Sequence, residues 1–321
     1  MRNFFGEKLL KLMDAADAIV VGAGAGLSTA AGFTYSGARF ERYFHEFGER
    51  FGIQDIYSGG FYPYPDRATF WGWWCRHIWV NRYAPLPSTL YTRLLQLLEG
   101  RDFFVLTTNV DHAFQRAGFP KKRLFYTQGD YGLFQSSEPH GLTTTRTYDN
   151  RAEVEAMLRS EGWQFAADGD LIVPAAWEKA ACAASGAADE TADAADRVPA
   201  TDETPSMRIA EDLIPYCLDD GAEMTTNLRA DDTFVEDAGW HAAADRYEAF
   251  LARTQGADRR VLYLELGVGA NTPGIIKYPF WRMTAANKNA CYVAINPAQQ
   301  LVPDAIATRA LSFACGIDAV V

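Results

Sequence analysis

In LTTNVDHAF, residues 106–114, an apolar run drops into a polar loop that sets Asn109 and Asp111 two positions apart. A second apolar run ends in LFYTQGDYG, where the neutral amide of Gln128 precedes a glycine. Side chains of these types at strand ends offer hydrogen bonds to a ligand, and Gln128 cannot take up a proton. A third loop, in VVGAGAGLSTAAG, runs from a strand through Gly22, Gly24 and Gly26 into a helix opened by Ser28 or Thr29. Such a turn lets backbone N–H groups and a helix N-terminus meet a diphosphate. Gly22, Ala23, Gly24, Ala25 and Ser28 are the contacts it predicts, and Gly24→Val should abolish binding while leaving the fold intact. The spacing is GxGxG, not the GxGxxG of dehydrogenases, and no acidic residue closes a second strand about twenty positions later to hold a ribose. Hydride transfer is disfavoured; the bland alternative is a glycine turn that serves only strand-to-helix packing.

The elements that must position these loops are short apolar runs, each finishing in Gly, Asn or Pro: AIVVGAG, DFFVLTTN, RLFYTQG, VLYLELGVG, CYVAINP and ALSFACG. Buried parallel strands read this way. Several alternate with helical stretches such as STLYTRLLQLLEG. The fold class expected is therefore α/β, a doubly wound, Rossmann-like parallel sheet with ligands at the carboxyl ends of its strands and a smaller inserted domain. Segments 1–40, 85–130 and 257–321 are assigned to the sheet domain, and 41–84 and 131–256 to the insertion. Within the insertion, residues 181–206 are Ala, Asp and Thr with almost no large apolar side chain and are expected to form a loop. DLIPYC and DTFV are its candidate strands, and Trp71, Trp74 and Ile78, at helical spacing, its candidate core. Arg76 and His77 read as a solvated helix face.

With 321 residues, 48% of them hydrophobic, the chain can enclose a real cleft. Its net charge of -11 is the wrong sign for general attraction to nucleic acid or an anionic membrane. The N-terminus has helical spacing without the pattern of a signal peptide, and the five cysteines include no close pair. A cytoplasmic protein with reduced thiols is expected.

The motifs GAGAGLSTAAG, TTNVD and AINP, in that order, resemble the sirtuin family of NAD-consuming enzymes, over nearly the whole chain. The resemblance puts Thr108, Asn109 and Asp111 in the family's T-Q-N-I-D motif, Gly267-Val268-Gly269 in its G-T-S and Asn296 in its I-N. It also turns the backbone of Cys315-Gly316-Ile317 toward the adenine of NAD. Where the family has its catalytic histidine this chain has Gln128, and His140-Gly141 lies beyond the strand end as a decoy. Of the two zinc-ribbon CxxC pairs only Cys217 survives, so no metal is expected; Cys182 is the other thiol to test. Arg39 is a possible stand-in for a family arginine, and Arg208 or Arg229 for an acceptor contact.

Together with DIYSGGFYPY and NRY, this pattern is similar to the class M sirtuins, usually encoded beside a macrodomain protein. That resemblance implies NAD-dependent protein mono-ADP-ribosylation, with Asn109, Asp111 and Gln128 as catalytic residues and a lipoylated glycine-cleavage H-like carrier as acceptor. The chemistry agrees. Deacylation needs a base, which histidine supplies with its pKa of about 6.5; an amide only orients the ribose. A carboxylate acceptor would need no base. A residual deacylase, with His112 or water as base, and a non-catalytic NAD or ADP-ribose sensor are the alternatives. His112 reads first as a packing or solvent-facing residue of a helix.

Overall fold

The computed structural model describes residues 2–139, 146–185, 203–254, 256, 258–269, 273–298 and 301–321. All six expected runs are strands of one parallel sheet: Ala18–Ala23, Phe103–Thr107, Leu124–Tyr126, Val261–Leu266, Cys291–Asn296 and Ala310–Ala314. Their spatial order is Ala310–Ala314, Cys291–Asn296, Val261–Leu266, Ala18–Ala23, Phe103–Thr107, Leu124–Tyr126. The chain thus builds outward on one side of the first strand, then returns to build outward on the other. The switch in direction falls between Ala18–Ala23 and Val261–Leu266, where a doubly wound sheet opens its ligand crevice.

Alternation along the strands buries both faces. Val20, Phe104, Phe125, Tyr263 and Tyr292 pack under the helices Ala238–Thr254 and Lys277–Ala286. Their neighbours Ile19, Val21, Phe103, Val105, Leu262 and Val293 are equally buried and, by the period of two, face the other layer. Helix Ala238–Thr254 packs Tyr247 and Phe250 tilted against Phe104, each with centroids 5.4 Å apart, and Trp240 edge-on to Phe125 at 5.1 Å. For this reason the compact unit that holds the sheet comprises Met1–Gly32, Leu86–Asp130 and Leu228–Val321, resuming at 228 where the sequence placed the boundary at 257.

The second unit comprises Phe33–Pro85 and Tyr131–Asn227. Its helices include Ala38–Phe51, Arg67–Ile78, Arg151–Glu161 and Ala175–Ser185. Asp66 caps the second of these by accepting from Thr69 N at 2.8 Å. Strand pairs are short and antiparallel, Phe134 with Tyr148 and Phe165 with Leu171. Trp71, Trp74 and Ile78 are buried as expected. Trp73, in the same helix, packs on Phe44 at 4.3 Å and Phe47 at 5.1 Å. The candidate strands differ: DLIPYC begins in the 3₁₀ turn Glu211–Leu213 and pairs only through the isolated bridge of Tyr216 to Glu223, DTFV begins in a turn, and the strand lies between them at Met224–Leu228. Of the expected loop 181–206, Ala181 to Ser185 close a helix, 203–206 have no regular secondary structure, and 186–202 lie outside the described residues, as do His140 and Gly141.

Arg76 and His77 are not a solvated face. Both are buried, because Arg76 donates through Nε to Glu161 at 2.9 Å, pairs with Glu46, and donates to the Ser206 carbonyl at 2.8 Å. Its guanidinium also lies 4.9 Å from the Phe47 ring and 5.0 Å from that of Trp163. His77 Nε2 meets the Tyr131 hydroxyl at 2.9 Å, and burial pushes the ring's pKa down to about 3, so it stays neutral. Among the described residues no three His, Cys, Asp or Glu side chains converge on a metal position. Cys217 is buried 3.7 Å from the Tyr148 hydroxyl, whereas Cys182 is exposed.

One guanidinium facing two buried carboxylates leaves a negative charge in excess. Burial accordingly raises the pKa of Glu161 from 4.5 to about 7, against the opposing pull of Arg76. The folded protein then holds a proton that the unfolded chain has already released, so stability falls as pH rises through that interval, by up to about 1.4 kcal/mol per unit. The urea midpoint of the wild type should drop relative to Glu161→Gln between about pH 5 and 7; parallel curves would contradict the assignment.

Candidate active site

The strand ends are laced together in their spatial order. Cys315 N donates to Asn296 O at 3.0 Å, Gly267 N to Ile295 O at 3.0 Å, Gly24 N to Leu266 O at 3.0 Å, Thr108 N to Ala23 O at 3.1 Å and Thr127 N to Thr107 O at 3.0 Å. Each bond carries the ladder past its strand, so the loops bearing Cys315, Asn296, Val268, Gly24, Asn109 and Gln128 stand in a row along the carboxyl edge. Asn296 Nδ2 donates to Val268 O at 3.3 Å. Gly316 follows Cys315 in extended backbone, and Ile317 is buried.

At the switch point two glycine loops touch backbone to backbone. Gly26 N donates to Gly267 O at 2.9 Å. A Cβ on Gly24 would lie 2.8 Å from Gly267 O and 2.9 Å from Val268 Cα; one on Gly267, whose φ is +61, would lie 2.4 Å from Leu27 N. Gly22 leaves room for Ile276 and Phe280. The N–H groups of Gly24 and Gly26 are committed to carbonyls, and the expectation that Gly24→Val leaves the fold intact needs correction, because its side chain would strike backbone. The helix is Ala25–Ala30, capped by Gly24, and opens three residues before Ser28. Its first N–H, on Ala25, is the donor that helix geometry leaves over.

Ser28 and Thr29 do not cap because their hydroxyls are engaged elsewhere. Thr29 Oγ1 donates to Ala25 O at 3.1 Å. Ser28 Oγ donates to Asp111 Oδ2 at 2.5 Å and lies 3.0 Å from the Tyr91 hydroxyl. Asp111 Oδ1 accepts from Ala113 N at 2.9 Å. Both carboxylate oxygens are therefore occupied, and burial raises the group's pKa against the lowering effect of Ser28. Asn109 Nδ2 donates to Gly24 O at 3.0 Å and lies 3.4 Å from Tyr91. Its N–H is held by Thr107 Oγ1 at 3.0 Å, and no partner for its Oδ1 is found among the described residues. Tyr91, fully buried at the centre of this cluster, is a residue the sequence reading missed.

Gln128 is half-buried, and its side-chain amide makes no hydrogen bond among the described residues. Its backbone is fixed: Arg229 N donates to Gln128 O at 3.0 Å, and Trp240 Nε1 to Thr127 O at 3.1 Å. The three candidate arginines are engaged. Arg229 pairs with Glu236 and lies over Phe234 at 4.4 Å. In the second unit Arg208 pairs with Asp66, and Arg39 donates to Val80 O at 2.8 Å and Asn81 Oδ1 at 3.0 Å. His112 is not a free surface residue of a helix; it precedes the helix Ala113–Arg116 and meets Asp130.

No protein-family model matches the chain. A curated relative from Staphylococcus aureus, named protein ADP-ribosyltransferase, is 33% identical over 306 residues, 95% of this chain and 82% of the relative. The chain belongs to the protein ADP-ribosyltransferase family. A second relative, from Fusarium oxysporum f. sp. cubense, is named probable bifunctional ADP-ribose hydrolase/ADP-ribosyltransferase; it is 30% identical over 83% of this chain, which spans 38% of its length. The fold is that of sirtuins. A structure of Sir2 bound to an acetylated peptide covers 97% of the chain at 16% identity with a TM-score of 0.50. A Sir2 homologue–NAD complex covers 98% at 14% identity, also with a TM-score of 0.50. No helix among the described residues of this transferase-family chain is long and apolar enough to cross a membrane.

The glycine geometry separates binding from folding. Gly24→Ala should cost about 1–3 kcal/mol, because the atoms it meets are backbone. Gly269→Ala, with nothing within 4 Å of its Cβ, should stay within about 0.5 kcal/mol of wild type. Urea titration of both variants checks this; equal losses would contradict the packing.

Proposed function

We propose that this sirtuin-fold chain is an NAD-dependent protein mono-ADP-ribosyltransferase with its reaction centre at Asn109 and Gln128, on loops that Asp111 helps hold in place. Bound NAD supplies the ADP-ribosyl group and nicotinamide as leaving group. The residues present fit it: an amide oxygen on Asn109 and a whole side-chain amide on Gln128 lack partners among the described residues. The glycine loops, Ser28, Thr108, Asn296 and the Cys315–Ile317 turn are the proposed cofactor contacts.

One observation carries the reading. Gln128, an amide that cannot take a proton, stands on a rigid loop where the resembled deacylases need a base. Asn109 orients the ribose and the nicotinamide amide. Asp111, with both oxygens engaged, holds the loop and not the substrate. The S. aureus relative's name supports transfer, and that of the F. oxysporum relative supports a mark removed by an ADP-ribose hydrolase. At Gln128 alone the economical acceptor is an Asp or Glu already ionised at neutral pH. The lipoylated carrier and the macrodomain link rest on the resemblance alone.

Incubation with labelled NAD and cell extract separates the readings. Label on protein supports transfer, O-acyl-ADP-ribose a residual deacylase, and neither a sensor. Asn109→Ala should lower transfer by about 100-fold or more, with a smaller effect on NAD affinity by calorimetry. Transfer at the wild-type rate would remove Asn109 from the site.

A further inference from the structure

Among the described residues one non-glycine has positive φ: His112, at φ 60 and ψ 17. Left-handed backbone costs a residue with a Cβ about 1 kcal/mol or more, and glycine would avoid it. The imidazole explains what holds it there. His112 Nδ1 lies 2.5 Å from Asp130 Oδ2, with the two side chains 23% and 7% exposed. His112 follows Asn109 and Asp111, and Asp130 follows Gln128 and Gly129, so the pair bridges the two loops that carry the proposed site. The carboxylate on Nδ1 places the proton there, which leaves the lone pair of the neutral ring on Nε2. No partner for Nε2 is found among the described residues. Asp111, beside His112 in the chain, interacts electrostatically with both Arg116 and Asp130. A purely structural tie between loops would need neither a strained residue nor a second, unused ring nitrogen.

We propose that His112 is the general base for an acceptor that still carries its proton, a serine or threonine hydroxyl, and that Asp130 is its positioning residue. This rests on the transferase reading and widens it beyond carboxylates. The hydroxyl gives its proton to His112 Nε2 while its oxygen bonds the anomeric carbon of the ribose. The electron pair of the carbon–nitrogen bond leaves with nicotinamide, and the histidine later releases the proton to water.

The test combines product chemistry with a readout that needs no turnover. The full chain is incubated with labelled NAD and cell extract, and labelled protein is treated with neutral hydroxylamine, which cleaves carboxylate esters and spares hydroxyl-linked ADP-ribose. The wild type should form a resistant fraction. His112→Gly, which keeps the backbone without strain, should lose it by about 100-fold or more and regain part of it with added imidazole. In ¹⁵N spectra of the five histidines, His112 should carry its proton on Nδ1, and Asp130→Asn should change that tautomer. Label that is wholly hydroxylamine-labile, or resistant label from His112→Gly within about threefold of wild type, would overturn the role of His112 and leave the transferase standing. Absence of any label on protein from the wild type would overturn both.

Discussion

The close approach of Gly26 to Gly267 is the constraint on which the rest depends. At the point where the sheet reverses its order, two loops from strands far apart in sequence share a backbone hydrogen bond with no side chain between them. Remove that approach and helix Ala25–Ala30 can no longer lie against the strand end. Ser28 would then lose Asp111, and Asn109 would lose the Gly24 carbonyl. The glycines therefore serve packing and the candidate site together, since the contact that packs the loops also sets where Ser28 and Asn109 stand.

The six strands and their polar ends were legible because a buried parallel strand must be apolar throughout and must stop at a turn residue. Helix Ala238–Thr254 was not, because its core contacts, Trp240, Tyr247 and Phe250, are separated by Ala, Asp, Arg and Glu and sit in a segment crowded with turn residues. Arg76 was misread for a different reason. Its partner Glu161 lies 85 residues away, and local charge says nothing about a buried ion pair formed at that distance.

At the site, residue types were legible but not their partners. Asn109, Asp111 and Gln128 were found from composition at strand ends, whereas Tyr91 lies inside an ordinary amphipathic helix and only the fold brings its hydroxyl to Ser28. Ser28 carried the opposite error. A hydroxyl after a glycine loop reads as a helix cap, yet here it is drawn inward by a carboxylate 83 residues on. A buried polar group must find a partner, and sequence shows the group long before it shows the partner.

The same rule sorts the polar residues by function. Asp111 is a charged group at a candidate catalytic position, but its two oxygens are already satisfied by Ser28 and Ala113, which makes it a fixed support. Gln128 is neutral and chemically mild, but its amide is unspent and its backbone is clamped by Arg229 and Trp240. What a side chain can offer a ligand is its hydrogen-bonding capacity less what the fold already uses. On that count Asn109 and Gln128 have capacity to give, Asp111 has little, and His112 retains one nitrogen because Asp130 takes only the other.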